Sequence, residues 1–351
     1  MKQRKLAQVG VYPPPVGGIS VHIQRLCRAL DARGIPVTIY DNTTGEKDRD
    51  VKYTGKIETW ALRYLFGCRE DVIHVHFLRW QVRLLLSLLA LRGKRVIFTV
   101  HNMRGEEQPL SWIKRLIVKV TSRLAYRFIV VNPEFVDRLA ACGVDPEKIV
   151  FIPPFIHGQQ DEIPISPEVA SFLASSDTKL LLANGAVGTY HKGVDLYGID
   201  LIVDLAERLA GMRRDVRIIY CVTHVADPVY YEKLQQQVSE RGLTEVFCFL
   251  HAPPEYQTLL KRSAVFLRPT NSDSYGISVY EALHSGVPVV ASDADIRPPQ
   301  TVLFADRDLD DFLAKTVSVL DGERALHEQG DPVPDYAEQI IALYGLAERA
   351  R

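Results

Sequence analysis

The 351-residue sequence predicts an α/β protein built on two parallel sheets. Three observations support this. The chain is longer than a single hydrophobic core usually organises. Short apolar runs of strand type alternate with helical patterns from end to end, the signature of parallel sheets with crossover helices. That alternation is interrupted once, where Ile152-Pro153-Pro154-Phe155-Ile156 runs into the polar segment HGQQDEIPISP, and such a break marks a domain boundary. Domains are therefore expected at 1–156 and 157–331, followed by a separate last helix over 332–351.

In the first half, Leu6 to Val11 reads as a strand running into Pro13-Pro14-Pro15-Val16-Gly17-Gly18. Ser20 then caps a helix carrying Val21, Ile23, Leu26, Cys27 and Leu30. Paired glycines let backbone approach a ligand, and the helix behind them favours a negative group. Further strands are expected at Val37–Tyr40, Val72–Val75, Val96–Val100, Phe128–Val131 and Ile149–Ile152. His101 follows the third of these and so falls at the rim where ligands of such sheets bind. His74 and His76 share one side of a strand, but the sequence shows no third metal ligand near them, so no metal site is expected.

In the second half the strands are Lys179–Ala183, Val216–Cys221, Val246–Leu250, Val265–Leu267 and Val287–Ala291, with Asn184 to Gly193 following the first. Residues 265–293 are the most informative stretch. An apolar strand leads through a polar turn into a helix that opens near Gly276 and closes at Gly286, before the next strand. Asp273 lies in the turn and Glu281 inside the helix, roughly 10 Å apart at helical rise. Two carboxylates flanking a helix N-terminus suit the two polar ends of one ligand. Pro332 and Pro334 then break the chain ahead of a helical pattern with Ile340, Ile341, Leu343, Tyr344 and Leu346.

The net charge of −1 conceals an asymmetry: residues 1–150 carry +11 and the remainder −12. The basic half suits an anionic surface or the acidic half of the same chain. Its cations gather in the group Arg79, Arg83, Arg92, Lys94 and Arg95 and in an amphipathic pattern with Lys114, Arg115, Lys119, Arg123 and Arg127. The second group reads as a helix with one face on the domain and the other turned to anionic lipid. No nucleic-acid reader motif accompanies them. The five cysteines, Cys27, Cys68, Cys142, Cys221 and Cys248, are scattered and never spaced as CxxC, which fits a reducing compartment. The most apolar run, Leu84 to Leu91, is too short to span a bilayer, and the prolines after Val11 cut short any signal-peptide core. The expectation is a cytoplasmic protein, with peripheral contact at the inner face of the membrane.

Several of these segments together resemble family 4 glycosyltransferases, the retaining enzymes of the GT-B fold, of the bacterial polysaccharide type. Asp273-Ser274-Tyr275-Gly276-Ile277-Ser278-Val279-Tyr280-Glu281-Ala282 is similar to that family's Glu-Gly-Phe-Gly, apolar stretch and Glu-Ala. Gly17-Gly18 with His22 resembles its glycine loop, and Thr99-Val100-His101-Asn102 its Thr-x-His-Asp/Asn signature. Gly185 and Lys192-Gly193 resemble its Gly-Arg…Lys-Gly, except that Ala186 stands where the family has arginine.

The resemblance implies two Rossmann-like domains facing a cleft and transfer of a sugar, with retention, from a UDP- or GDP-sugar to a glycan or lipid-linked acceptor in polysaccharide or cell-envelope synthesis. It implies catalytic roles for His101, Asp273 and Lys192. Donor contacts are implied for Gly17, Gly18, Gly185, Lys192, Ser274, Tyr275, Gly276, Ile277, Ser278 and Glu281. No metal or cofactor is implied. Two alternatives stay open: a nucleotide-sugar epimerase on the same fold, and an inactive nucleotide-sugar-binding subunit, which the missing arginine at Ala186 favours.

Overall fold

A computed structural model describes residues 4–76, 79–103, 110–158, 163–173, 178–273, 276–322 and 334–345. It divides into two units, Met1–Gly158 with Asp335–Arg351, and Gln159–Pro334.

In the first unit, strands β1 (Leu6–Val9), β2 (Val37–Asp41), β3 (Lys52–Tyr53), β4 (Val72–Val75), β5 (Arg95–Val100), β6 (Arg127–Val130) and β7 (Ile149–Phe151) alternate with helices. The helices are α1 (Gly18–Asp31), α2 (Ile57–Gly67), α3 (Trp80–Ser87), α4 (Trp112–Leu124) and α5 (Glu134–Ala141). The strands form one parallel sheet in the order β3-β2-β1-β4-β5-β6-β7. Period-two alternation divides its core. Ala7, Val9, Ile73, Val75, Val96 and Phe98 face one layer, whereas Leu6, Val72, Ile97 and Ile129 face the other, with Leu26 and Leu30 of α1. The second layer also holds Ala337, Ile340, Ile341 and Tyr344 of the final helix (Ala337–Tyr344).

The second unit contains helices α6 (Pro167–Phe172), α7 (Ile199–Gly211), α8 (Pro228–Glu240), α9 (Tyr256–Arg262), α10 (Ile277–His284) and α11 (Leu309–Leu320). Strands β8 (Lys179–Val187), β11 (Val216–Val225), β12 (Phe247–His251), β13 (Val265–Arg268), β14 (Val289–Ser292) and β15 (Val302–Phe304) form a parallel sheet in the order β12-β11-β8-β13-β14-β15. Strands β9 (Tyr190–His191) and β10 (Val194–Asp195) make a small antiparallel hairpin. The final helix of the first unit is α12. Each sheet reverses its winding once, between β1 and β4 and between β8 and β13, and crevices at such reversals are where ligands bind.

Two local expectations are corrected. Ser20 is not the cap of α1: the helix starts two residues earlier, after Gly17, and Ser20 Oγ accepts from the Gly17 N–H at 2.9 Å. The strand expected to end at Ala183 runs on to Val187, because β11 continues beside it past an irregularity at Val222/His224 and keeps its backbone paired.

Candidate functional site

At the reversal in the second unit, β13 ends at Arg268 and α10 starts at Ile277, capped by Gly276 in the left-handed conformation (φ 43°). A side chain at Gly276 would place its Cβ 2.8 Å from Arg297 Nη1 and 3.1 Å from Asp273 Oδ2, so only glycine lets the turn close over them. Asp273 Oδ2 accepts from Arg268 Nε at 3.0 Å and from Arg297 Nη1 at 2.9 Å. Arg268 also donates through Nη1 to Asn184 O and Oδ1, both at 3.1 Å, and Arg297 Nη2 to Thr270 Oγ1 at 2.8 Å. The Asp273 N–H in turn donates to Asp295 Oδ2 at 2.9 Å. Burial by itself would raise the Asp273 carboxyl, but the two guanidinium groups hold it well below the usual carboxylate range. Two buried guanidinium groups, Arg268 and Arg297, with the acids Asp273 and Asp295 beside them, thus stand at the N-terminus of a helix, whose free amides suit an anion.

The remaining expected residues of this unit fall around that turn or on the neighbouring strand. Ile277 opens α10, while Ser278 and Glu281 are buried within it. Gly185 lies in β8, where an added Cβ would sit 2.4 Å from Tyr197 Cδ1 and 2.5 Å from Tyr220 Oη; its glycine is required by packing. Lys192 is exposed between β9 and β10 with φ 50°. Ser274 and Tyr275 lie outside the described residues.

At the reversal in the first unit, Gly17 caps α1 and Gly18 begins it, both exposed, and a Cβ on Gly17 would meet nothing within 4 Å. The loop before them is held by Lys47. Its Nζ is 3.0 Å from the buried Asp41 carboxylate and donates to Tyr12 O at 2.7 Å. His101 follows β5 and meets His76 and His22, so His76, one of the two histidines read from the strand pattern, acquires neighbours that sequence could not supply. Ring nitrogens of His22, His76 and His101 lie within 4.8 Å of one another. His74 is excluded from that group by bonds to Tyr344 Oη and Thr99 Oγ1. His76 Nδ1 and His101 Nε2 face each other at 3.0 Å, so one of them bears the proton that joins them. Burial keeps His22 neutral to about pH 4, and it depresses His74, His76 and His101 well below the usual histidine range.

The two basic groups fare differently. Arg79 pairs with Glu58 at 2.7 Å, Lys94 with Asp71 at 3.5 Å, and Arg95 stacks on Tyr126 at 4.2 Å. Arg83 is buried against Trp80, 4.7 Å from its ring. Of that group Arg83 is buried, Lys94 and Arg95 are half-buried, and Arg79 and Arg92 are exposed. Helix α4 buries Val118, Thr121 and Ser122 and leaves Trp112, Ile113, Leu116 and Val120 exposed among Arg115, Lys119 and Arg123. Among the described residues no helix is long and apolar enough to cross a membrane.

Residues 16–159 match the profile of Glycosyltransferase Family 4, and residues 175–306 that of Glycosyl transferases group 1. The alpha-galactosylglucosyldiacylglycerol synthase of Streptococcus pneumoniae is 22% identical over 187 residues, 52% of this chain and 48% of that protein, so the match spans about half its length. The D-inositol 3-phosphate glycosyltransferase of Corynebacterium diphtheriae is 22% identical over 97% of this chain and 87% of its own. The crystal structure of Anabaena HepE with UDP-glucose superposes with a TM-score of 0.67 at 12% identity, covering 97% of both chains. Two parallel-sheet units of the same fold and two family profiles, one on each unit, identify the chain as a family 4-like glycosyltransferase of the GT-B type.

Proposed function

We propose that this glycosyltransferase moves a sugar, with retention, from a UDP- or GDP-sugar to a glycan or lipid-linked acceptor at an anionic membrane surface, in polysaccharide or cell-envelope synthesis. The observation that carries the reading is the Arg268–Asp273–Arg297 cluster at the N-terminus of α10. On this reading the donor diphosphate lies at that N-terminus. Ala186 stands in place of the family arginine, and the cations at this turn are Arg268 and Arg297, both hydrogen-bonded to Asp273. Amides of the Gly276 turn, with Lys192, meet the negative charge that grows on the leaving diphosphate. Glu281 accepts from the nucleotide ribose, and His101 lies against the sugar. Asp273 is committed to two arginines, so its role is to set the electrostatics of the turn beside any contact it makes with sugar. These cations also weaken the case for an inactive subunit, which rested on Ala186. The name of HepE's bound ligand supports a uridine donor, and that of the Streptococcus synthase a lipid acceptor.

Calorimetry against UDP-, GDP- and ADP-sugars tests the donor. Glu281→Gln should weaken binding of the preferred donor by about 1–3 kcal/mol, because a ribose hydroxyl loses a charged acceptor. Unchanged affinity in that variant removes Glu281 from the site. The anomeric proton coupling of the product tests retention.

A further inference from the structure

We propose that His22, His76 and His101 form a binding site for a borderline transition-metal ion, zinc above all, at the carboxyl end of the first sheet. The site shares His101 with the reading above, but its three ligands are argued from their own geometry.

Three elements bring the imidazoles together. His22 belongs to α1, His76 follows β4 and His101 follows β5, the strand paired with β4. One ring nitrogen from each lies within 4.8 Å of the other two, and the side chains are buried, His22 at 2%, His76 at 3% and His101 at 6% exposure. The sequence offered only the pair His74 and His76. Of these His76 alone enters the group, because Tyr344 Oη and Thr99 Oγ1 engage both ring nitrogens of His74.

The observation that carries the proposal is a nitrogen with nothing to bind. His22 Nδ1 lies 2.8 Å from Pro154 O, and a carbonyl oxygen only accepts, so Nδ1 holds the proton of the neutral ring. His22 Nε2 is then a bare lone pair, buried and without a hydrogen-bond partner among the described residues, which is uncommon for a buried polar atom. An imidazole N–H donated to a backbone carbonyl is also the bond that aims metal-ligating histidines and raises their basicity. His76 Nδ1 and His101 Nε2 face each other at 3.0 Å. Two imidazole nitrogens on one tetrahedral zinc ion stand about 3.4 Å apart, given bonds of roughly 2.0–2.1 Å. An ion in place of the proton between them asks that pair to part by roughly 0.4 Å, whichever ring carries the proton now. His76 then needs its own proton on Nε2, where the Gln8 amide lies at 2.9 Å. The Tyr344 hydroxyl pairs with that amide in either orientation, so Gln8 is free to present its oxygen.

Ligand chemistry selects the ion. The group holds imidazoles and, among the described residues, no carboxylate or thiolate, which suits zinc, cobalt or nickel and excludes magnesium and calcium, whose ligands are oxygens. Burial keeps all three rings neutral, the form that ligates. An ion held here takes His101 from the sugar, so the site is inhibitory.

The experiment titrates zinc chloride into the ¹⁵N-histidine-labelled wild-type chain and follows the ring nitrogens by long-range nitrogen–proton NMR, with magnesium chloride as the comparison. His22, His76 and His101 should shift together, complete at one equivalent of zinc, with His22 bound through Nε2, and magnesium should move none of them. Competition with a chromophoric chelator measures affinity, which His22→Ala should lower at least tenfold, since losing even a supporting bond around a metal costs roughly 10–100-fold. Zinc that moves other histidines and leaves these three unshifted overturns the proposal, and that measurement needs no variant to fold. His22→Ala that binds zinc as tightly as wild type overturns it too. Sugar transfer should be lost as the site fills and return when EDTA removes the ion. Full transfer with all three rings shifted defeats the placement of His101 against the sugar instead, because the metal is read without substrate.

Discussion

At the scale of the residue, what matters most is which atoms are already committed. Asp273 and Glu281 look alike in the sequence, two acids around one turn, yet Asp273 is held by two arginines and its carboxyl is driven far down in pKa. Gly276 and Gly185 are likewise glycines for different reasons, one for a left-handed turn against Arg297 and one for the rings of Tyr197 and Tyr220. Gly276→Ala should cost about 1–2 kcal/mol for the left-handed backbone alone, and more as Arg297 is displaced. The urea midpoint measures the first effect, and donor affinity the second. A variant as stable as wild type would mean that the turn relaxes without strain.

At the scale of the element, α4 is the outlier. A helix that packs on its own domain normally hides its large apolar residues, but here Trp112 is 74% and Leu116 54% exposed, interleaved with cations. A face of that kind suits the boundary of an anionic bilayer, where each cation contributes about 1 kcal/mol and a buried apolar side chain about 1.5–3 kcal/mol. Sedimentation with vesicles containing acidic lipid should show binding at low salt that is weakened at high salt. Changing Lys119 and Arg123 to Glu should abolish most of it, and Trp112→Ser with Leu116→Ser should weaken the salt-resistant remainder. Wild type that stays in the supernatant at low salt ends the membrane reading. The sequence foretold a basic amphipathic helix but turned its apolar side inward; helical periodicity gives the angle between side chains, while the neighbouring elements decide which angle is covered.

At the scale of the whole molecule, four buried neutral histidines in one unit tie stability to pH. Each has a folded pKa below its unfolded value, so the unfolded chain takes up protons first. The stability they contribute is complete above about pH 6.5 and is lost as the pH falls towards the folded values. For His22, which titrates at about 4 in the fold, the loss between pH 7 and pH 5 is about 2 kcal/mol. Urea unfolding at the two pH values should show it, with His22→Gln less sensitive than wild type; a pH-independent midpoint would mean the histidines are solvated. What the sequence by itself determined was set by local physics: two sheets from alternating periodicities, the strand-to-helix turn at Gly276, and the order of motifs along the chain. What only the tertiary structure decided was who meets whom. Gln8 and Tyr344 are 336 residues apart, His22 and Pro154 are 132, and Arg268 reaches Asn184 across 84. Side-chain period depends on neighbours along the chain, whereas hydrogen-bond partners depend on strand order, and strand order is settled by long-range packing that no local pattern records.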